Sequence, residues 1–139
     1  MGPISVSGVV KGGLAAGLIM NISQTILNLP VAGAQLEAEL RAHNLPTVGG
    51  SAIALFVFET FVLGLVTVWF YAAIRPRFGP GPKTAIISGI VVWALTYVYS
   101  GIAFGVLGVN SMGIVVLGVV WSLVEMIVAS AVGGYLYSE

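Results

Sequence analysis

The chain has 139 residues, of which 58% are hydrophobic and only 7% are charged. Because a water-soluble domain usually carries about 25% charged residues, this composition excludes an ordinary soluble protein and indicates an integral protein of the lipid bilayer. The formal net charge is zero, so the chain has no positive field with which to hold nucleic acid.

Four long apolar segments follow one another along the chain, and each has the roughly 20 residues that a helix needs to cross a bilayer. Open strands are excluded at that depth, since their edge amides would lack hydrogen-bond partners. The sequence therefore predicts an all-α fold, in which residues 1–139 form a single four-helix transmembrane bundle. The predicted spans cover residues 6–29, 49–74, 84–106 and 112–137.

A more polar stretch, PVAGAQLEAELRAHNLP, separates the first two predicted spans and runs from Pro30 to Pro46. Glu37 and Arg41 lie four residues apart in it, a spacing that supports a helix. We expect a short helix over about residues 32–43 that lies at the membrane interface. An ordinary solvated loop is the alternative.

The segment between the second and third predicted spans, RPRFGPGPK, is predicted to be a loop. It carries Arg75, Arg77 and Lys83, which are three of the five basic residues of the chain. Basic loops stay on the cytoplasmic side of a membrane. We therefore expect this loop and both chain termini in the cytoplasm, and the segment 32–43 on the opposite side.

The two halves of the chain show a weak internal repeat. The first span aligns with the third at an offset of 72 residues, and the second aligns with the fourth at an offset of 66. The matched pairs include Lys11 with Lys83, Gly17 with Gly89, Glu59 with Glu125, and Tyr71 with Tyr137. Such a repeat would place a pseudo-twofold axis along the membrane normal. Coincidence among similar apolar helices is the alternative.

Two carboxylates lie inside the predicted spans, Glu59 in FVFETFVLG and Glu125 in WSLVEMIVAS. At 1.5 Å of rise per residue, both lie near the middle of the bilayer. An acidic side chain at that depth costs about 2.5–3.5 kcal/mol, so we expect both to face the bundle interior. Burial disfavours the charged form, so we expect them to be protonated or to share a proton, unless Lys11 or water reaches them.

Candidate hydrogen-bond donors for these acids recur on one face of the first span and one face of the third. Together with the two carboxylates they form the predicted intramembrane polar site. The donors are Asn21, Gln24 and Asn28 on the first span, and Thr96, Tyr97 and Ser100 on the third. They would line a polar core or a small wet cavity. The alternative is that they only hold the helices together by interhelical hydrogen bonds.

Pairs of glycines four residues apart indicate where helix backbones approach closely. The predicted packing residues are Gly8, Gly12, Gly13, Gly17, Gly101 and Gly105. The first span carries two adjacent pairs, so its inner half is the best candidate for tight packing. The partner helix would belong either to this chain or to a second copy.

The stretch GGSAIALFVFETFVLGLVTVWFYAAIRPRFGPGPKTAIISGIVVWAL resembles an uncharacterised family of small bacterial four-helix integral membrane proteins. The resemblance is greatest in YAAIRPRFGPGPKTA and in the closing WSLVEMIVASAVGGYLY. It implies a four-helix topology and a bacterial inner membrane. It implies no activity and no site residue.

Two functions fit these observations. The first is a small transporter or channel-like protein, coupled to protons or cations through Glu59 and Glu125. The second is a non-catalytic accessory or scaffold subunit of a larger membrane complex. We do not expect an enzyme, because no nucleophile–base pair or metal cluster is visible. The chain has no cysteine and one histidine, and we expect no cofactor or metal, but a homo-oligomer or a larger assembly.

Overall fold

The computed structural model describes residues 2–139, which are helical throughout their regular structure and contain no strand. Four helices are long and apolar enough to cross a membrane, which confirms the predicted all-α fold with four candidate spans. The elements are α1 (Val6–Ile26), a π turn (Leu27–Val31), α2 (Gly33–Ala42), α3 (Gly50–Phe78), α4 (Pro82–Trp93), a second π turn (Ala94–Val98), α5 (Tyr99–Val106) and α6 (Met112–Leu136).

The first span begins after Ser5, whose hydroxyl accepts a hydrogen bond from the backbone N–H of Gly8 at 3.2 Å. This bond satisfies one of the free N–H groups at the start of α1. At its other end α1 widens into the first π turn, which contains Pro30. Proline has no N–H to donate, so the regular α-helical pattern is interrupted there. The span continues to Val31, two residues beyond the predicted end at 29.

The short helix α2 lies where the sequence predicts a helix over 32–43. Its Glu39 carboxylate accepts hydrogen bonds from Asn110 Nδ2 at 3.0 Å and from the backbone N–H of Ser111 at 3.2 Å. These bonds hold α2 against the turn that precedes α6. The location of α2 at a membrane interface remains a prediction.

The predicted loop over 75–83 is wrong for its first four residues, because α3 continues through Pro76 to Phe78. The fixed φ of proline is close to the helical value, so the last turn of a long helix accommodates it. The helix ends at Gly79, which has a φ of 84° and donates its N–H to the carbonyl of Arg75 at 2.8 Å. A positive φ suits glycine as the residue after a helix. Only residues 79–81 therefore form the turn before α4.

The third span is continuous from Pro82 to Val106 but is not uniform. The second π turn divides it into α4 and α5, whereas the sequence predicted one regular helix over 84–106. The apolar pattern is the same on both sides of this turn, so it gave no local signal for the change. Tyr97 lies within the π turn.

The four spans pack as a bundle in which α1 and α4 each lie against both α3 and α6. The chain termini and the turn 79–81 lie at one end, here called the basic end, and the bundle is closed by small buried residues from its middle to that end. These are Gly12, Gly13, Ala16, Gly17, Gly64, Thr67, Ala72, Thr84, Ala85, Ser88, Gly89, Ala129, Ser130, Gly133 and Gly134. The opposite end, here called the α2 end, carries α2 and the turn between α5 and α6. There α5 packs mainly against α6, which leaves the bundle more open.

Candidate polar site around Glu125

The polar site centres on Glu125 of α6, which is 4% exposed. Gln24 of α1 donates its Nε2 to both carboxylate oxygens, at 3.2 Å to Oε1 and 3.0 Å to Oε2. Tyr97, from the second π turn, donates its hydroxyl to Oε1 at 3.0 Å. The acid is therefore turned into the bundle and is satisfied by donors from two other spans, as expected from the sequence.

Asn28 sets the orientation of the Gln24 amide. Its Nδ2 donates to Gln24 Oε1 at 3.1 Å and to the Gln24 backbone carbonyl at 2.8 Å. Because the amide oxygen of Gln24 is occupied in this way, its nitrogen faces Glu125. A hydrogen-bonded chain thus runs from the exposed Asn28 to the buried carboxylate.

Two tryptophans fix α6 beside this chain. Trp121 donates its indole N–H to Ser23 Oγ at 3.0 Å. Trp93 donates its indole N–H to the carbonyl of Val119 at 3.0 Å and to Ser122 Oγ at 3.1 Å. The sequence analysis missed Ser23 and Ser122, because a single serine in an apolar helix gives no signal of which neighbour it meets. Their role is to hold the α1–α6 and α4–α6 contacts that bring Gln24 and Tyr97 to Glu125.

Two hollows flank the site on the side of the α2 end. A cavity of about 320 Å³ lies between α1, α2, α5 and α6, and a groove of about 750 Å³ lies between α1, α2 and α3. Four residues line both of them, namely Gln24, Asn28, Leu36 and Tyr97. Glu125 lines neither. The two side chains that donate to the carboxylate therefore face both hollows, whereas the carboxylate itself does not.

The expectation that both acids face the bundle interior is wrong for Glu59. Its side chain is exposed and makes no hydrogen bond within residues 2–139, either to Glu125 or to any predicted donor. The donors that α1 presents beside α3 are committed to backbone carbonyls, because Asn21 bonds to those of Gly17 and Val57 and Thr25 bonds to that of Asn21. Glu59 lines the groove, so it lies on a partly polar surface. The two acids do not share a proton directly.

The remaining predicted donors bond to backbone carbonyls and not to an acid. Thr96 donates to the carbonyl of Val92 at 2.7 Å, and Ser100 donates to that of Thr96 at 2.6 Å. Asn21 donates to the carbonyl of Gly17 at 2.9 Å and, more weakly, to that of Val57 at 3.5 Å. Short hydroxyls in a helix favour such bonds to the preceding turn. Gln24, Tyr97 and Glu125 thus form the site, with Asn28 supporting it.

The predicted packing glycines contact helices of the same chain. A Cβ atom on Gly12 would meet the backbone carbonyl of Gly133, and one on Gly13 would lie 2.6 Å from the Cα atom of Leu65. The other four are also in contact: Gly8 with Tyr137 and Ser138, Gly17 with Phe61, Gly101 with Val119, and Gly105 with Val115. The close approaches at Gly12 and Gly13 are needed for the tight packing of α1.

Outside the spans, Glu39 is the acid with a perturbed titration. Hydrogen bonding from Ser111 is the main cause that holds the pKa of this carboxyl below its ordinary value, and Asn110 adds to the effect. Partial burial acts in the opposite direction and is outweighed. Glu39 is therefore an ionised contact between α2 and the turn before α6.

Comparisons of the chain with protein-family models, with curated proteins and with solved structures give no match. Across residues 2–139, no three His, Asp or Glu side chains gather closely enough to hold a metal ion. The chemistry that the site itself offers is proton or cation binding at a buried carboxyl, with an amide and a phenol as its direct partners.

Proposed function

We propose that the chain is a multi-pass protein of a bacterial inner membrane and belongs to the small four-helix family that its sequence resembles. The apolar lengths of the four spans support membrane insertion. The clustering of Arg75, Arg77 and Lys83 beside the turn 79–81 supports a cytoplasmic location for the basic end and both termini. In this orientation α2 lies at the outer interface.

Within that setting, we propose that the protein is a proton- or cation-coupled carrier in which Glu125 is the binding group. The observation that carries this proposal is that both side chains donating to Glu125 also line both hollows. A carboxyl that served only to join helices would need no such access. Intramembrane acids that face a water-accessible space commonly mark proton or ion pathways.

Tyr97 provides a route for a proton between the hollows and the acid. Its hydroxyl can give its proton to ionised Glu125 Oε1, 3.0 Å away, while its oxygen takes one from a hydronium ion in the adjoining hollow, which becomes water. The phenol ends each transfer unchanged, and the proton resides on the carboxyl. The Gln24 amide binds the charged form of the acid by its two donor contacts.

The closed basic end favours a carrier over an open channel. Between Glu125 and that end lie Met20, Val68 and Met126, each 0% exposed. The partners of Glu125 therefore face hollows on the α2 side, whereas packed side chains lie on the other side. A carrier adopts such a one-sided state in its cycle, whereas a conducting channel needs a continuous path.

The test is proton movement through the purified protein in liposomes under an imposed pH gradient, followed with a pH-sensitive dye trapped inside. We expect uptake with the parent chain and its loss in Glu125→Gln, because the amide has the same shape but does not take up a proton. Glu139→Gln is the matched control, since Glu139 pairs with Arg75 at the other end. Equal rates in the parent chain and in Glu125→Gln would refute the proposal.

We also propose that the bundle arose by internal duplication. Two pairs of contacts support this idea. In each pair, one contact joins residues that the offsets of 72 and 66 match to the residues of the other contact. Ala16 meets Gly133 across the α1–α6 contact, and Ser88 donates to the carbonyl of Thr67 at 2.6 Å across the α3–α4 contact. Likewise Gly17 meets Gly64, and Gly89 meets Ser130. In each case the residue of the first span corresponds to the residue of the third at the offset of 72. The residues of the second and fourth spans correspond to each other at the offset of 66.

The aromatic ends of α3 and α6 provide further support. Tyr71 accepts from the backbone N–H of Gly81 at 3.2 Å, and Tyr137 accepts from that of Ser5 at 3.1 Å. Gly81 precedes α4 and Ser5 precedes α1, so each tyrosine caps the start of the corresponding span. The two rings meet edge to face with their centroids 5.9 Å apart, as residues on a pseudo-twofold axis would.

The accessory-subunit function is favoured by one observation. Both oxygens of Glu125 are satisfied within the chain, and no buried side-chain N or O atom of residues 2–139 lacks a partner. Such saturation suits a static contact. In that case purification from mild detergent brings a larger membrane protein in a fixed ratio, and Glu125→Gln destabilises the chain without any effect on proton movement. Recovery as a homo-oligomer alone would argue against it.

A further inference from the structure

The groove on the α2 end is lined by acidic side chains and by no basic ones. Its lining includes two carboxylates, Glu37 and Glu59, but no Lys, Arg or His. Glu37 is paired with Arg41 one helical turn along α2. Glu59 has no cationic partner in the residues that the structure describes. The groove therefore has one uncompensated acid.

Two of the hydroxyls in the lining do not donate to Glu59. Thr60 donates to the carbonyl of Phe56 at 2.7 Å, and Thr25 donates to that of Asn21 at 2.8 Å. Both protons are thus used within their own helices. No cationic side chain of the described residues pairs with Glu59, so a cation that bound to it would come from outside them.

The rest of the groove wall is largely apolar. The apolar lining residues are Leu29, Leu36, Leu40, Val48, Ile53, Phe56 and Val57. A volume of about 750 Å³ lies within the roughly 300–1,000 Å³ that small-molecule sites occupy. A small hydrated metal ion would leave most of this apolar surface unused. The groove fits a cation with a bulky apolar body.

We propose that this groove binds an amphiphilic organic cation, with Glu59 as its counter-ion and the apolar side chains around its body. The inference rests on the proposed function in one respect, since it supplies the class of solute that a carrier coupled through Glu125 would move. Binding itself depends on Glu59 and not on proton movement. The two proposals therefore fail separately.

The test uses the tetraphenylphosphonium cation and the tetraphenylborate anion, which have nearly the same size and shape but opposite charge. Equilibrium dialysis against detergent-solubilised protein, with protein-free micelles as the blank, measures retention of each. We expect about one tetraphenylphosphonium bound per chain and no saturable binding of tetraphenylborate. We expect Glu59→Gln to weaken cation binding by roughly tenfold or more, because the sole uncompensated charge is removed.

Two further variants make the result decisive. Glu59→Asp keeps the charge and should retain more binding than Glu59→Gln, which separates a charge effect from a general loss of structure. Glu139→Gln removes a carboxylate at the far end of the bundle and should bind as the parent chain does. Equal retention of the two probe ions, unchanged affinity in Glu59→Gln, or no binding at all would each overturn the inference. Loss of proton movement in Glu125→Gln would stand in every one of those cases.

Discussion

The two ends of this bundle consist of similarly apolar helices, but the helices pack differently at each end. At the basic end the helices meet through glycine, alanine and serine, and Arg75 lies over the rings of Tyr71 and Tyr137, at 5.7 and 5.1 Å from their centroids. At the α2 end the spans are interrupted by π turns and separated by two hollows. The difference teaches that small residues determine where this helix bundle closes, whereas irregular turns lie where it opens.

The same contrast appears between the two acids within the candidate spans, Glu59 and Glu125. If the halves are duplicated, Gln24 and Thr25 correspond to Thr96 and Tyr97. The donors to Glu125 are Gln24 and Tyr97. Under this correspondence, Thr96 stands in the place of Gln24 beside Glu59, and Thr25 stands in the place of Tyr97. A threonine hydroxyl reaches the carbonyl of its own preceding turn and not a distant acid. Glu125 is buried and bonded, whereas Glu59 is exposed to the groove.

The largest effect on stability is expected from closing the basic end too tightly. In Gly64→Ala the new Cβ atom would lie 2.5 Å from the carbonyl oxygen of Gly13 and 2.6 Å from the backbone N of Gly17. Backbone cannot move aside cheaply, so we expect a loss of about 1–3 kcal/mol in the free energy of unfolding. Unfolding in mixed detergent micelles measures it.

The control for that change is Gly113→Ala at the start of α6, on the α2 end of the bundle, where a Cβ atom would meet nothing within 4 Å. It should be neutral or should stabilise the chain by up to about 1 kcal/mol, because alanine favours a helix over glycine. A similar loss in both variants would contradict the contrast between the two ends.

A smaller effect is expected from removing one donor to the buried acid. Tyr97→Phe keeps the ring but deletes the hydroxyl bond to Glu125, at an expected cost of about 0.5–1.5 kcal/mol in the free energy of unfolding. Thr96→Val is the matched control on the same turn, because its hydroxyl bonds only to its own helix. We expect it to change stability by less than about 0.5 kcal/mol. If the two variants cost the same, Tyr97 does not stabilise Glu125.

The smallest effect is a local one at the α2 end. The pKa of Glu39 is lowered in the folded protein, so its bonds to Asn110 and Ser111 form with the ionised carboxylate. Their contribution is complete above the ordinary glutamate pKa of about 4.3 and is lost as the pH falls through the lower value in the folded state. The protection of the Ser111 amide against hydrogen exchange, corrected for the intrinsic rate, should therefore decrease in acid.

Glu39→Gln provides the check on this assignment. The amide cannot ionise, so protection of Ser111 should be low at neutral pH and should no longer depend on pH in the acid range. The packing at Gly64 lies in the middle of α3, away from Glu39, and should be unaffected. Protection that decreases equally in the variant and in the parent chain would assign the acid response to another group.

The sequence by itself determined the class of the protein, the number of spans and the presence of two acids at mid-span, because apolar length and charge depletion are properties of composition. It also identified Gln24, Tyr97 and Glu125 among the candidates for one polar site. It did not distinguish them from Asn21, Thr96 and Ser100, because the sequence does not show which atoms of a neighbouring helix each polar side chain meets. The tertiary structure decided that Glu125 is bonded and Glu59 is not, because donors to an acid come from other helices, and the approach of those helices is set by glycine contacts and π turns far along the chain.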